Sequence, residues 1–262
     1  MNKNTFFKLF TCIIIIIFYY SIILCKKSIK TCKKSIKTYK KYKICIVMWY
    51  DDKIKNYADK CYENNKKYCE KYGFDIIRSN KRFYKDRKPH YERFPLILNN
   101  LEKYDYVIWV DADAHFYLDS KDISKLIYKY SKYNFILSGD IDDKNIIKRN
   151  KNRKNTSIIN SGVLIVKNSE YSKKVINDWK NSDELLKRRH GFNDQGIIRL
   201  YRAENINNFK KESIVLQYGV IQIFYKEIYY YCLFPYLLFY KPYIIHYAGK
   251  SNKIRMKIIK RL

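Results

Sequence analysis

The sequence predicts an α/β fold built on a mostly parallel sheet with helices on both faces, and three observations carry that prediction. Short runs of β-branched and aromatic residues alternate with longer segments whose apolar positions recur at helical spacing, in the order β, α, β, α, β from Lys43 onward. One of these runs, "YVIWV" at 106–110, has no charged position, as expected of a strand buried on both faces. It empties directly into "DADAHF", so Asp111 and Asp113 stand one residue apart where the strand stops. In sheets of this kind ligands bind beyond the carboxyl ends of the strands.

The chain opens on a membrane signal. Residues 9–25, "LFTCIIIIIFYYSIILC", are nearly all apolar, enough at about 1.5 Å per residue to cross roughly 25 Å, short for an average bilayer but adequate for a thin one. Residues 1–25 are expected to form a short cytoplasmic tail and a signal anchor, with a cleaved signal peptide as the rival; the apolar run is long and no A-x-A site follows. Charge conflicts with a lumenal domain, because Lys3 and Lys8 precede the span while Lys26, Lys27, Lys30, Lys33 and Lys34 follow it. Residues 26–42 contain "KKSIKTC" and then "KKSIKTY", a duplication too charged to collapse, and read as a basic stem.

Residues 43–252 carry the expected globular domain. "KICIVMWY" is a first buried strand, and "NYADKCYENNKKYCEKYG" is a helix that stops at Gly73, a residue suited to the left-handed position after a helix end. The strand "FDIIRS", the helix "ERFPLILNNLEKY" and the strand 106–110 follow. "NFILSGD" and "SGVLIVKN" are two further strands, "SEYSKKVINDWKNSDELLKRR" is helical, and "GFNDQGIIRLY" starts a last helix with Asn193 or Asp194 near its N-cap. The aromatic stretch 220–243 is interrupted by Lys226, Glu227 and Pro235, which favours core or cavity lining over membrane contact. Residues 253–262 read as a basic C-terminal tail.

Lys and Arg number 54 against 25 Asp and Glu, a net charge of +29. Residues 1–42 hold ten lysines and no acid, and residues 250–262 hold six bases and no acid, so sixteen of those charges are in the tails. Such basicity suits an anionic membrane surface, the phosphates of a nucleotide, or nucleic acid. No recognition helix, zinc finger or aromatic RNA-binding signature accompanies it, and no nucleic-acid partner is expected. The seven cysteines show no metal-ligand spacing, which leaves disulfides open only for a lumenal compartment.

Two carboxylates flanking a small Ala112 at a strand tip can converge on one hard cation, since oxygen ligands suit magnesium or manganese. The alternative is a pair of solvated turn residues, because Asp is common where strands stop.

The segments "YERFPLILNNLEKYDYVIWVDADAHF", "INSGVLIVKNSEYSKKVINDW", "NDQGIIRLY" and "IIHYAGK", with "CEKYGFDII" upstream, resemble in order and spacing the galactosyltransferase GMA12/MNN10 family, over about residues 43–252. That resemblance implies a GT-A, Rossmann-like glycosyltransferase domain, a UDP- or GDP-sugar donor, a divalent metal (Mn2+ or Mg2+), a glycan acceptor, retention at the anomeric carbon, and a type II single-pass topology in the Golgi or endoplasmic reticulum. It assigns Asp111, Asp113 and His246 to the metal, where a lone His246 would otherwise read as a core histidine. It places Asn160, Ser161 and Gly162 in an Asn-x-Gly turn against the donor, and Asp194 and Gln195 against the transferred sugar. Arg93 stands near the nucleotide where the family usually has lysine. Lys250 follows Gly249 directly, whereas the family's phosphate-binding lysine comes one place later, here Ser251.

Two rivals belong to other classes. A haloacid-dehalogenase-like phosphatase also places D-x-D after an apolar strand, but His115 stands where Thr or Val is expected, and no later lysine-then-DD block follows. A non-enzymatic basic protein binding membrane or nucleic acid would rest on charge alone.

Overall fold

The computed structural model describes residues 41–140, 159–181, 193–225 and 242–259. The expected anchor, nearly all of the stem and most of the aromatic stretch lie outside these residues. Among the described residues no helix is long and apolar enough to cross a membrane.

The first strand, β1 (Ile44–Trp49), is buried at every position. Its successive side chains alternate between two cores: Ile44, Ile46 and Met48 enter one, Cys45, Val47 and Trp49 the other. This is why a fully covered strand reads as an unbroken apolar run. Helix α1 (Lys55–Tyr72) follows and stops at Gly73, whose φ of 71° is the left-handed conformation expected there. Strand β2 (Asp75–Ser79) lies parallel to β1. A 3-10 turn, Pro89–Glu92, leads into α2 (Arg93–Leu101), and β3 (Tyr106–Val110) returns beside β1.

Beyond β3 come β4 (Ala114–Phe116), α3 (Ser124–Lys129), β5 (Phe135–Gly139), β6 (Ile159–Lys167), α4 (Glu170–Asn181) and α5 (Asn193–Ala203). The chain continues through the single-turn α6 (Phe209–Glu212), β7 (Ser213–Leu216), β8 (Gln222–Phe224), β9 (Ile244–His246) and α7 (Asn252–Ile259). Six strands form the main sheet in the order β2-β1-β3-β6-β5-β7. It is mixed: β6 runs antiparallel to both β3 and β5, and the remaining pairs are parallel.

A second sheet, β4-β9-β8, has three residues in each strand. Strands this short leave no periodicity to read. Two other expectations need correction. Asn160, Ser161 and Gly162 lie inside strand β6 rather than in a free turn, at the irregularity where its register with β5 shifts: Asn160 is opposite Ser138, the Ser161 N–H donates to Gln195, and the Gly162 N–H folds back onto Asn160 Oδ1. Residues 252–259 are not a tail but helix α7, which packs on α1 and buries Ile259 in the core.

Candidate active site

The site grows from the end of β3. Strand pairing with β6 continues one step past Val110, because the Asp111 N–H donates to the Gly162 carbonyl at 2.9 Å. Asp111 Oδ1 accepts from the Trp109 indole at 2.7 Å and from Arg93 Nη2 at 3.1 Å, which leaves Oδ2 facing the neighbouring imidazole. A tight turn, closed by the Ala114 N–H on the Asp111 carbonyl, then reverses the chain into β4.

The short sheet places the late histidine. Ala114 is opposite His246 in the antiparallel β4–β9 pair, and the Tyr247 N–H donates to the Asp113 carbonyl at 2.9 Å. His246 Nε2 therefore lies 3.3 Å from Asp113 Oδ1 and 3.7 Å from Asp111 Oδ2. Its ring rests against Gly162, where a Cβ would meet Cε1 at 2.2 Å, so any larger residue displaces the imidazole. The glycine in "NSG" is required by a histidine 84 positions away in the sequence.

Helix α1 braces the turn from behind. The fully buried Asn65 donates through Nδ2 to the Ala114 carbonyl at 3.1 Å and accepts the Phe116 N–H at 2.8 Å, acting on β4 as a neighbouring strand would.

Burial by itself would raise the Asp113 carboxyl, but His246 and Arg255 outweigh it and hold it below the ordinary value. Burial opposes the charge on His246, and Asp113 and Asp111 overcome that and raise it. Asp194 behaves differently: burial raises it to about 6 against the pull of Arg93, whose Nε lies 2.8 Å from its Oδ2. The Arg93 fork is fully used. Nη1 donates to the Ser161 carbonyl at 2.6 Å, Nη2 to Asp111, and Nε to the His90 carbonyl at 3.0 Å. His90 is pushed down to about 4 by burial and by Arg93, so it is neutral at pH 7, and its buried Nε2 has no partner among the described residues.

One donor atom each from Asp111, Asp113 and His246 lies within 4.8 Å of the others. Two carboxylates and an imidazole suit Mn2+ or Mg2+. Asp113 Oδ2 is buried and, although 2.8 Å from Arg255 Nη2, has no aligned hydrogen bond, so it has capacity to spare for a cation. The residues present fit a divalent metal.

These groups open on a cavity of about 360 Å³ lined by Asp111, Asp113, Ser161, Asp194, Gln195 and Arg255, with Trp49, Tyr57, His90 and Trp109 among its walls. Gln195 Oε1 accepts the Ser161 N–H at 2.9 Å. Asn160 lies behind this surface and Lys250 is not part of the lining. Besides Arg93, the carboxylates have Arg255 as a second cation, 2.8 Å from Asp113 and hidden from sequence reading because it sits in a run of tail-like bases. Gln222, whose Oε1 lies 3.0 Å from His246 Nδ1, was likewise hidden within an aromatic stretch. Cys45, Cys61 and Cys69 are free and buried in the core.

The family model described as galactosyl transferase GMA12/MNN10 family matches residues 40–230. No curated protein matches the chain in sequence. Among solved structures, it is similar to a glycosyltransferase involved in the glycosylation of the major capsid of PBCV-1, at 16% identity over 84% of this chain and 100% of that one, with a TM-score of 0.62. It is also similar to the galactosyltransferase LgtC, crystallised with donor and acceptor sugar analogues (13% identity, 83% and 96% coverage, TM-score 0.52). A third likeness is to the bifunctional glycosyltransferase WbbM (14% identity, 81% and 47% coverage, TM-score 0.54).

Proposed function

The chain belongs to the galactosyl transferase GMA12/MNN10 family, and from that premise we propose that it is a metal-dependent glycosyltransferase. It moves a hexose or pentose from a UDP- or GDP-sugar to a glycan acceptor, with retention at the anomeric carbon. The observation that carries this reading is the convergence of Asp111, Asp113 and His246 at the edge of a cavity that also holds Arg255, Asp194 and Gln195.

A divalent cation held by Asp111, Asp113 and His246 would offset the charge of the departing diphosphate without a proton transfer. Arg255, 2.8 Å from Asp113, is the cation of this chain best placed to share that charge. Asp194, fixed by Arg93, and Gln195, fixed by Ser161, hold the transferred sugar. Retention is supported by the use already made of the carboxylates: among the described residues those lining the cavity are the metal pair and Asp194. His90 at about 4 is a weak base for an acceptor hydroxyl at neutral pH. The departing diphosphate oxygen then takes the acceptor proton on the same face.

The apolar run 9–25 supports a single-pass anchor; the type II orientation and a Golgi or endoplasmic reticulum lumen follow from the family resemblance, against the lysines that flank the run. The decisive experiment is a screen of nucleotide sugars with Mn2+, with EDTA as control, followed by proton NMR of the first product. Transfer abolished by EDTA and an α-linked product from an α-linked donor are expected. Transfer unaffected by EDTA overturns the metal role, and a β-linked product overturns retention.

A further inference from the structure

The atom assignment of a buried amide chain behind the site can be worked out from one fixed point. The Gly162 N–H can only donate, and it does so to Asn160 at 2.9 Å, so the atom it meets is the oxygen, Oδ1. That same oxygen is 2.8 Å from the Gln222 amide, whose contacting atom must therefore be the donor, Nε2. The other end of the Gln222 amide is then Oε1, which can only accept, and it lies 3.0 Å from His246 Nδ1. Nδ1 must carry a proton. Nε2, on the far side of the ring and facing Asp113 and Asp111, is left as the nitrogen whose lone pair can bind a metal.

We infer that Gln222 is a positioning residue for the metal ligand His246: through Asn160 and the Gly162 amide it fixes the imidazole in the tautomer and orientation that present Nε2 to Asp111 and Asp113. The inference deepens the proposed metal site and rests on it. Burial strengthens it. Gln222 is fully buried, and His246 and Asn160 are 3% and 7% exposed, so water does not compete for these bonds. The backbone supports the same geometry, because β8 and β9 pair in parallel with Gln222 opposite Ile244 and Phe224 opposite His246. The ring cannot rotate away, since Gly162 contacts one side of it and the Phe224 ring is 5.8 Å away edge-on.

The test uses the full-length protein and Mn2+ alone, titrated by EPR of the free ion. Gln222→Met keeps the volume and removes the acceptor, and a 10- to 100-fold weaker Mn2+ affinity is expected, the usual effect of losing such a partner. Gln222→Glu restores an acceptor for Nδ1–H and should stay within a few-fold of the unaltered protein, although it loses the donor to Asn160. A purely structural role predicts the opposite order, with the buried carboxylate the more damaging change. Unchanged affinity in Gln222→Met, or greater loss in Gln222→Glu, overturns the inference alone. No Mn2+ binding by the unaltered protein overturns the metal reading and this inference with it. Long-range 1H–15N correlation of His246 in the unaltered, metal-free protein needs no variant: a protonated Nδ1 is expected, and an unprotonated Nδ1 refutes the chain of assignments.

Discussion

Replacing Asp194 by Asn should stabilise the protein at neutral pH while destroying its activity. Burial raises this carboxyl from 3.8 to about 6 in the native state. Below about pH 4 the group is neutral in both states and contributes no difference. Between there and pH 6 the unfolded chain ionises while the native chain does not, so unfolding becomes easier as pH rises; above pH 6 the slope ends. At about 1.4 kcal/mol per pH unit, the native state has lost roughly 3 kcal/mol relative to a neutral side chain by pH 7.5. Asn mimics the neutral acid. Arg93 is not orphaned in the variant, because its three nitrogens still donate to Ser161, Asp111 and the His90 carbonyl. Chemical denaturation of both proteins from pH 4 to pH 8 gives a difference curve in which the titration of all other groups cancels. The Asn variant should gain about 2–3 kcal/mol at pH 7.5 relative to its difference at pH 4, with glycosyl transfer lost. A flat difference curve, or one that rises toward acid, would refute the claim that desolvation outweighs Arg93 at this position.

Four more outcomes follow from the same geometry. Asp113→Ala should lower transfer at least ~100-fold and abolish tight Mn2+ binding by EPR, and full activity of this variant in excess EDTA would show that the carboxylates hold no metal. Gly162→Ala puts a Cβ 2.2 Å from His246 Cε1, against an ordinary contact of 3.4 Å or more. The ring must retreat, at an overpacking cost of about 1–3 kcal/mol, and calorimetry should show a lower Tm together with at least ~10-fold weaker Mn2+ binding. Asn65→Leu strands the buried Phe116 N–H and Ala114 carbonyl and should cost about 2–4 kcal/mol by urea denaturation. Arg93→Lys keeps the charge but cannot reach Ser161, Asp111 and Asp194 together, so kcat/KM should fall about 100-fold, or close to 3 kcal/mol; kinetics within ~3-fold of the unaltered enzyme would refute a role for the fork.

What could be read in the sequence was what long elements encode locally. β1 and β3 are buried on both faces and carry no polar position, so they stood out as unbroken runs, and Gly73 marked the end of α1 because a left-handed residue has few other choices there. Of the proposed metal-binding triad, the residues by themselves pointed to only two, and His246 came from the family resemblance. Asp111 and Asp113 announce themselves by position, whereas His246 depends on the register Ala114↔His246 between two strands of three residues each. That register is set by tertiary contacts, including the Asn65 side chain reaching across from α1. Arg255 and Gln222 were illegible for a related reason. Composition described their neighbourhoods correctly, as basic and as aromatic, but a single side chain on an ordinary-looking helix or strand reveals its purpose only when its partner is in place.

The charges of the site explain why its carboxylates can be buried at all. Asp113 is 8% exposed and Asp194 4%, burial that would be costly for isolated anions. Arg93 ties Asp111 to Asp194, and His246 and Arg255 bracket Asp113, so each carboxylate has a cation within 3.3 Å. Two of these cations differ in what they can do next. Arg93 is 3% exposed and every nitrogen of its fork is engaged, so it is a fixed part of the frame. The Arg255 side chain is 20% exposed; it reaches Asp113 through Nη2 at 2.8 Å, and its other two nitrogens make only long bonds of 3.3 Å, to the Tyr247 carbonyl and to Asn252 Oδ1. On the proposed reading, positive charge arriving at Asp113 from a metal weakens the hold of that carboxylate on Arg255, because the same anion now serves two cations. Arg255 would then be the cation available to a bound diphosphate, so that the ion pair with Asp113 would give way to a contact with the leaving group.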